Sequence, residues 1–495
     1  MVKIYNYWQK KGVPYATPIH YVFGNVAPSL FRTKSFPMLI EDAYKNFPNS
    51  RFVGFYQFAT PTLIITDPEL LKDITVKDFD SFPDRRQIAP ASIDPLWGKN
   101  LIQMTSEEGW HNMRSTLTPS FTSSKMRMMF NLMEECTAQY INYFKNENGE
   151  VILELKDTFT RFANDIIATC AFGIQCNSLK DKDNEFYAMS KDATNFSGIR
   201  SLKNFGYEFS STLMKLLDIK MFNNRVSTFF RKIIKDTLNL RRQKNIIRSD
   251  MIHLLLESAK KINNLNEEEK MKNFLSELSD EDITAQALVF LIAGFSTVST
   301  ALSFLTYNLA VHPDIQKRVY DEIKQTLEQS PKSTYESITS MVYLDCVVSE
   351  SLRVNPAVNI SDRMCQKSYT IEPVTPTEKP VRLDKGTIIW IPIGAFHKDE
   401  KYFPNPKKFD PERFSAENKT NINLNAYMPF GIGPRRCIGS RFALLEMKTI
   451  IVEILKNFEI VPNSKTEIPL KSSTARFSGF PDKGLWLSFK PRILN

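Results

Sequence analysis

Cysteine is scarce in this chain: six in 495 residues, at positions 136, 170, 176, 346, 365 and 437, with no CxxC pair and no cysteine–histidine cluster at zinc spacing. That scarcity excludes a disulfide framework and a zinc module, and it fits a reducing environment for the folded body. Histidine is scarcer, with five at 20, 111, 253, 312 and 397, so no imidazole base is evident beside any thiol. No run of about 18 consecutive apolar residues is present, which argues against a transmembrane helix. The opening stretch MVKIYNYWQKKGVPYATPIHYVFGN lacks the apolar core of a signal peptide. Charge of one sign is not concentrated either: the net +9 is spread over lysines and arginines mixed with acids. Without a basic stripe or a nucleic-acid motif, DNA and RNA are excluded as partners. An acidic protein or an anionic membrane suits such a surface better.

What is present reads as a globular body, with 42% hydrophobic and 24% charged residues and a length that allows up to about three domains. RFVGFYQF and TLIITD read as two short strands followed by a helix opening at Pro68, and residues 110–350 carry a dominantly helical pattern. Within it AKKINNLNEEEKMKNFLSELSDED reads as a solvated connection. Ser279 and Asp282 form a capping-box pattern and Pro313 a stop, which predicts a helix of about 30 residues, ~45 Å long. After residue 365, SYTIEP, VRLDKGTIIWIPI and GLWLSFKPR are β-like. The fold class is mainly α, a helix-rich body with a long central helix and a small β-rich portion.

The stretch PFGIGPRRCIG runs into the amphipathic pattern GSRFALLEMKTIIVEILKNF. Gly431 and Gly433 permit positive backbone dihedrals, and Cys437 lies just before a helix start, where the dipole and free N–H groups favour a thiolate. A thiolate there is open to three uses: a nucleophile, a metal ligand or an inert buried group. Arg435 and Arg436 suit an anionic ligand with carboxylates, which guanidinium forks bind bidentately.

Phe430, Gly433, Arg435, Cys437 and Gly439 spell FxxGxRxCxG, which resembles the haem-binding loop of the cytochrome P450 monooxygenases. Further matches follow the family's order: Trp110 and Arg114 in WHNMR, Glu350 and Arg353 in SESLR, Arg363 in SDRMC and Arg413 in FDPERF. The resemblance implies the cytochrome P450 fold, with residues 1–30 a hinge whose membrane anchor is missing from this chain and residues 31–495 a single catalytic domain. It implies haem b (iron protoporphyrin IX) with Cys437 as axial thiolate, Phe430 shielding it, Gly431, Gly433 and Gly439 shaping the loop, and Arg435, Trp110, Arg114 and Arg363 meeting propionates. Glu350, Arg353 and Arg413 would be a buried structural cluster. In the long helix AGFSTVS stands where the family has its oxygen-binding groove, so Ala293, Gly294, Ser296 and Thr297 would be catalytic. Gly294 would let a ligand approach and Thr297 would turn its hydroxyl into the groove. Ser296 replaces the usual acid and Val298 the usual hydroxyl residue, which leaves proton delivery to Thr297 and water.

RRQIAPASIDPLWGKN, NPAVNIS and TARFSGFP resemble substrate-contacting regions, suited to a lipophilic molecule. DPLWGKNL and TPSFTSSKMRMMF are most similar to the insect microsomal, xenobiotic-metabolising branch. That likeness implies insecticide or plant-toxin detoxification at the cytosolic face of the endoplasmic reticulum membrane. It also implies electrons from NADPH through the FAD and FMN of NADPH-cytochrome P450 reductase, with cytochrome b5 as an optional second donor. Lys125, Arg127, Arg436, Arg441 and Lys448 would form the basic docking face. Two rival readings stand beside the monooxygenase: a haem-thiolate isomerase or dehydratase that needs no reductase, and a haem-bearing ligand-binding protein without turnover.

Overall fold

The computed structural model describes residues 5–492 except 148, 196–200, 245–247, 249, 257–277, 329–331, 377, 475 and 477–478. Most of the charged connection around residues 259–277, and part of TARFSGFP, therefore lie outside the described residues. The chain divides into two compact units: Met1–Arg86 with Cys346–Cys437 and Pro469–Lys483, and Gln87–Asp345 with Ile438–Ile468 and Gly484–Asn495.

In the first unit a four-stranded sheet runs Phe52–Gln57, Thr60–Ile65, Ile388–Ile391, Ser361–Met364 in spatial order. The central pair, Thr60–Ile65 with Ile388–Ile391, is parallel, and both flanking pairs are antiparallel. Successive side chains point to opposite faces, and both faces are covered. Tyr56, Leu63, Ile65, Ile389 and Ile391 share a core with Trp8 and Phe396. Val53, Phe55, Ile64, Ile388 and Trp390 pack with Leu39, Ile40 and Ala43 of the helix Phe36–Asn46. Two covered faces explain the near-continuous apolar runs where a half-solvated sheet would alternate.

The opening segment, expected as a hinge, is docked into this unit. Trp8 is fully buried and donates from Nε1 to the Phe55 carbonyl at 3.3 Å. Its ring lies so close to Gly54 that a Cβ there would come within 2.5 Å of it. The strand carries glycine at that point because the indole occupies the side-chain space.

The second unit is helical, with a three-stranded sheet Val151–Glu154, Trp486–Pro491, Phe458–Val461. Its centre is the helix Asp280–Val311, opened by the expected capping box: the Ser279 hydroxyl accepts from the Asp282 amide while the Asp282 carboxylate accepts from the Ser279 amide. The helices Leu155–Ile167, Asn224–Lys244 and Ser440–Asn457 pack around it. Residues 283–291 and 298–310 are buried without a break, the mark of a helix that is apolar all round and interior. By length and composition it could cross a membrane; no single apolar run reveals this, because serines and threonines interrupt the sequence.

Candidate active site

The loop ahead of Cys437 is set by two left-handed glycines, Gly431 at φ 75° and Gly433 at φ 73°. The Gly431 amide donates to the Met428 carbonyl at 2.9 Å, and the Cys437 amide to the Phe430 carbonyl at 2.8 Å, closing the loop on itself. Gly433 has a second reason to be glycine: a Cβ would lie 2.0 Å from the Thr75 carbonyl oxygen. Phe430 is half-buried. Five of the six cysteines are buried and Cys437 is exposed, so the loop presents this one thiol. Gly439, two residues on, is the N-cap of Ser440–Asn457, with the Phe121 ring 3.7 Å from where a Cβ would stand.

Beside this loop the first unit buries arginines. Arg435 donates from Nε to the Pro83 carbonyl at 2.7 Å and from Nη2 to the fully buried Asp84 carboxylate at 3.1 Å. Arg363, on the strand Ser361–Met364 and 1% exposed, donates to the carbonyls of Asp362 at 2.7 Å and Ile432 at 3.2 Å. Its buried Nε has no partner. Burial first, and then the Arg85 guanidinium, push both Arg363 and Arg435 down to about 9, with Arg435 also acting on Arg363. Three guanidiniums thus oppose the carboxylates of Asp84 and Asp362, and a desolvated site with surplus positive charge and a spare donor is made for an anion.

Glu350 and Arg353 are fully buried on one helix face and joined by a fork, with Nε to Oε2 at 2.7 Å and Nη2 to Oε1 at 2.8 Å. The remaining Arg353 donors reach the carbonyls of His397 at 2.8 Å and Pro406 at 2.9 Å. Arg413 Nε stands 3.4 Å from Glu350 Oε1. One carboxylate and one guanidinium thereby tie the helix Val342–Val354 to the irregular stretch around residues 397–413.

In the second unit, Trp110 is buried and opens the helix Trp110–Leu117 after Gly109, whose φ is 90°; Arg114, one turn on, is half-buried. The long helix has one break in its burial: Ile292, Ala293, Gly294, Ser296 and Thr297 are partly or fully exposed, flanked by buried turns. The Thr297 hydroxyl donates to the Ala293 carbonyl one turn back. Gly294 has a packing reason beside the ligand access expected of it. A Cβ there would lie 2.7 Å from Ile167 Cδ1, so its bare Cα lets Leu155–Ile167 come close.

A lone presented thiol next to an anion site asks for a group that brings both carboxylates and a coordinated metal. Among the described residues no three His, Cys, Asp or Glu side chains stand together to hold a bare ion, so a metal on Cys437 must arrive with most of its ligands supplied. The cytochrome P450 family model matches residues 14–487. This chain belongs to the cytochrome P450 family. It is 43% identical to cytochrome P450 9e2 of Blattella germanica, over 99% of this chain and 94% of that protein. It is 39% identical to a protein of Drosophila melanogaster described as probable cytochrome P450 9f2, over 98% and 95%. With cytochrome P450 6k1 of Blattella germanica it shares 38% identity over 96% and 92%. The protein is accordingly a haem monooxygenase, with a redox partner and a small-molecule substrate.

The surroundings of the loop in this P450 include residues that sequence reasoning passed over. Asp84 and Arg85 sit in SFPDRRQ with no periodic signal, and only the fold shows them against Arg435. The expected docking cations differ in their surroundings, with Lys125 half-buried. Lys448 is buried and paired with Asp345, and Arg127 is bound to Glu336 at 2.6 Å and stacked on Tyr335. Arg436 and Arg441 remain exposed.

Proposed function

We propose that this P450 oxidises lipophilic xenobiotics with electrons from NADPH-cytochrome P450 reductase, at the cytosolic face of the endoplasmic reticulum membrane. The observation that carries the site assignment is the exposed Cys437 thiol beside the buried, electrostatically unbalanced Arg363 and Arg435. In this reading Cys437 would hold the haem iron through its thiolate, Phe430 would cover that thiolate, and Gly431, Gly433 and Gly439 would shape the loop that carries it. Arg363, Arg435, Trp110 and Arg114 would hold the propionates, whose charge would relieve the surplus around Arg85. Haem, when bound, supplies dioxygen activation and oxygen-atom transfer.

The remaining work falls to the chain. Thr297 holds its hydroxyl proton on the Ala293 carbonyl and releases it toward the exposed window, where Ser296 and water replace the family's usual acid. Glu350, Arg353 and Arg413 keep the proximal stretch in place. Exposed Arg436 and Arg441 support docking of an acidic flavoprotein, with cytochrome b5 as an alternative donor. Exposed apolar side chains support membrane contact: Tyr21, Val22 and Phe31 in the first unit, and in the second Phe209, Leu213 and Leu216 of the helix Ser201–Leu216 with Leu217 just after it.

A reduced, CO-bound absorption spectrum tests the ligand. The long-wavelength Soret band of thiolate haem is expected in the wild type and lost in Cys437→Ala. NADPH consumption with added reductase then tests the substrate class, across insecticides, plant allelochemicals, fatty acids and steroids. If NADPH use responds to none of these, the xenobiotic reading fails.

A further inference from the structure

One turn of the long helix is met by a cation from its neighbour. Lys156, in the first turn of Leu155–Ile167 and half-buried, donates from Nζ to the Ser296 carbonyl at 2.9 Å, the Ser299 hydroxyl at 2.7 Å and the Thr300 hydroxyl at 2.6 Å. The Ser296 carbonyl also accepts from the Thr300 hydroxyl at 2.7 Å and stands 3.1 Å from the Ser299 hydroxyl. Several donors therefore converge on one backbone oxygen that an ordinary helix turn would give to a single amide.

That oxygen belongs to the planar peptide unit joining Ser296 to Thr297. Because the unit is rigid, a pull on its oxygen sets the tilt of the Thr297 amide and with it the direction of the Thr297 Cα–Cβ bond. Close packing between the two helices is already provided by Gly294 against Ile167, so a charged side chain is not needed to hold them together. An ammonium at this point does something packing cannot. Ser299 and Thr300 donate to carbonyls one turn back, a habit that loosens and bends helices. The cation gives both hydroxyl oxygens a donor and holds the distorted turn in one geometry.

We propose that Lys156 is a positioning residue for oxygen activation: its three hydrogen bonds to the Ser296–Thr300 turn fix the Ser296–Thr297 peptide plane and so aim the Thr297 hydroxyl. This rests on Thr297 being the proton-handling group of the site. Charge-assisted bonds of this kind are individually strong enough that losing one shifts a local equilibrium on the order of tenfold.

The test uses the haem-loaded protein with Lys156→Met, which keeps an unbranched stem and removes every donor, and Lys156→Arg, which restores donors. Amide hydrogen exchange over residues 291–303 is expected to quicken by about tenfold or more in the Met variant and to return toward wild type in the Arg variant. Peroxide released per NADPH consumed is expected to rise and fall with it. Unchanged exchange in Lys156→Met overturns the proposal, as does faster exchange with unchanged peroxide release, which would make Lys156 a helix anchor only. If Lys156→Met does not fold, Thr300→Val removes one of the three acceptors and is read by the same two measurements, with the same overturning outcomes. Thr297→Ala keeps the two levels apart: unchanged peroxide release there defeats the reading of Thr297 itself, whatever the exchange data say about Lys156.

Discussion

Glu446 offers the sharpest quantitative test of the helical unit. It lies in Ser440–Asn457, fully buried, with neither carboxyl oxygen hydrogen-bonded. Burial alone pushes its carboxyl well above the usual range, so the folded protein holds it as the neutral acid while the unfolded chain ionises it above pH ~4.5. Unfolding then releases a proton, and stability falls as pH rises, by roughly 1.4 kcal/mol per unit for as long as the folded carboxyl stays protonated. Between pH 5.5 and 7.5 the loss is at most about 3 kcal/mol, the limit set by a carboxyl that stays protonated throughout. Glu446→Gln keeps the volume and abolishes the titration. With an unfolding entropy of about 2.1 cal/mol/K per residue, a chain of this size shifts its Tm by about 1 °C per kcal/mol. The Tm gap between variant and wild type, followed by calorimetry, should therefore widen with pH, by up to ~3 °C over those two units. His397, buried and depressed to about 3, works in the opposite direction below its ordinary range, but it is common to both proteins and cancels. A gap that stays constant with pH refutes the neutral carboxyl.

Three further outcomes are expected. Gly433→Ala places a methyl 2.0 Å from a backbone oxygen at a left-handed φ, whereas Gly431→Ala meets nothing nearer than 3.8 Å. The first should abolish the thiolate-haem spectrum and the second should cost only about 1–2 kcal/mol of melting stability; equal effects would contradict the loop geometry. Arg353→Lys brings three donors to a site where Arg353 makes five bonds, two to Glu350 and one each to the carbonyls of His397, Pro406 and Lys408, and should cost ~3–5 kcal/mol, seen as lost soluble yield and haem content, so a variant melting like wild type would deny the cluster its structural role. Ser296→Asp should raise product formed per NADPH consumed, because a carboxylate can relay protons that a hydroxyl only passes along; an unchanged ratio would sink that account.

The sequence was informative where local chemistry is periodic or rare. The capping box at Ser279, the glycine-framed loop before Cys437 and the Glu350–Arg353 spacing were all legible, and the structure places the last pair in one buried fork. Four-residue strands such as Val151–Glu154, Ser361–Met364 and Phe458–Val461 escaped notice. They are too short for alternation to register, and their partners lie far away in sequence. Asp84, Lys156 and Ile167 were invisible for a different reason: each matters through a contact that only the fold brings about. Gly294 carries a second constraint that the familiar pattern does not announce, since a Cβ there would strike Ile167 of a neighbouring helix.

The burial of Asp280–Val311 on nearly every side also sets a timing problem during synthesis. The helix Ser440–Asn457, which covers part of it, begins 129 residues after Val311 (440 − 311). At about 5–20 residues per second, the most apolar segment of the protein waits on the order of ten seconds for that cover. During this interval it carries a hydropathy that passes for a membrane span. The core that makes the finished molecule stable makes the unfinished one prone to mistaken membrane insertion and to aggregation.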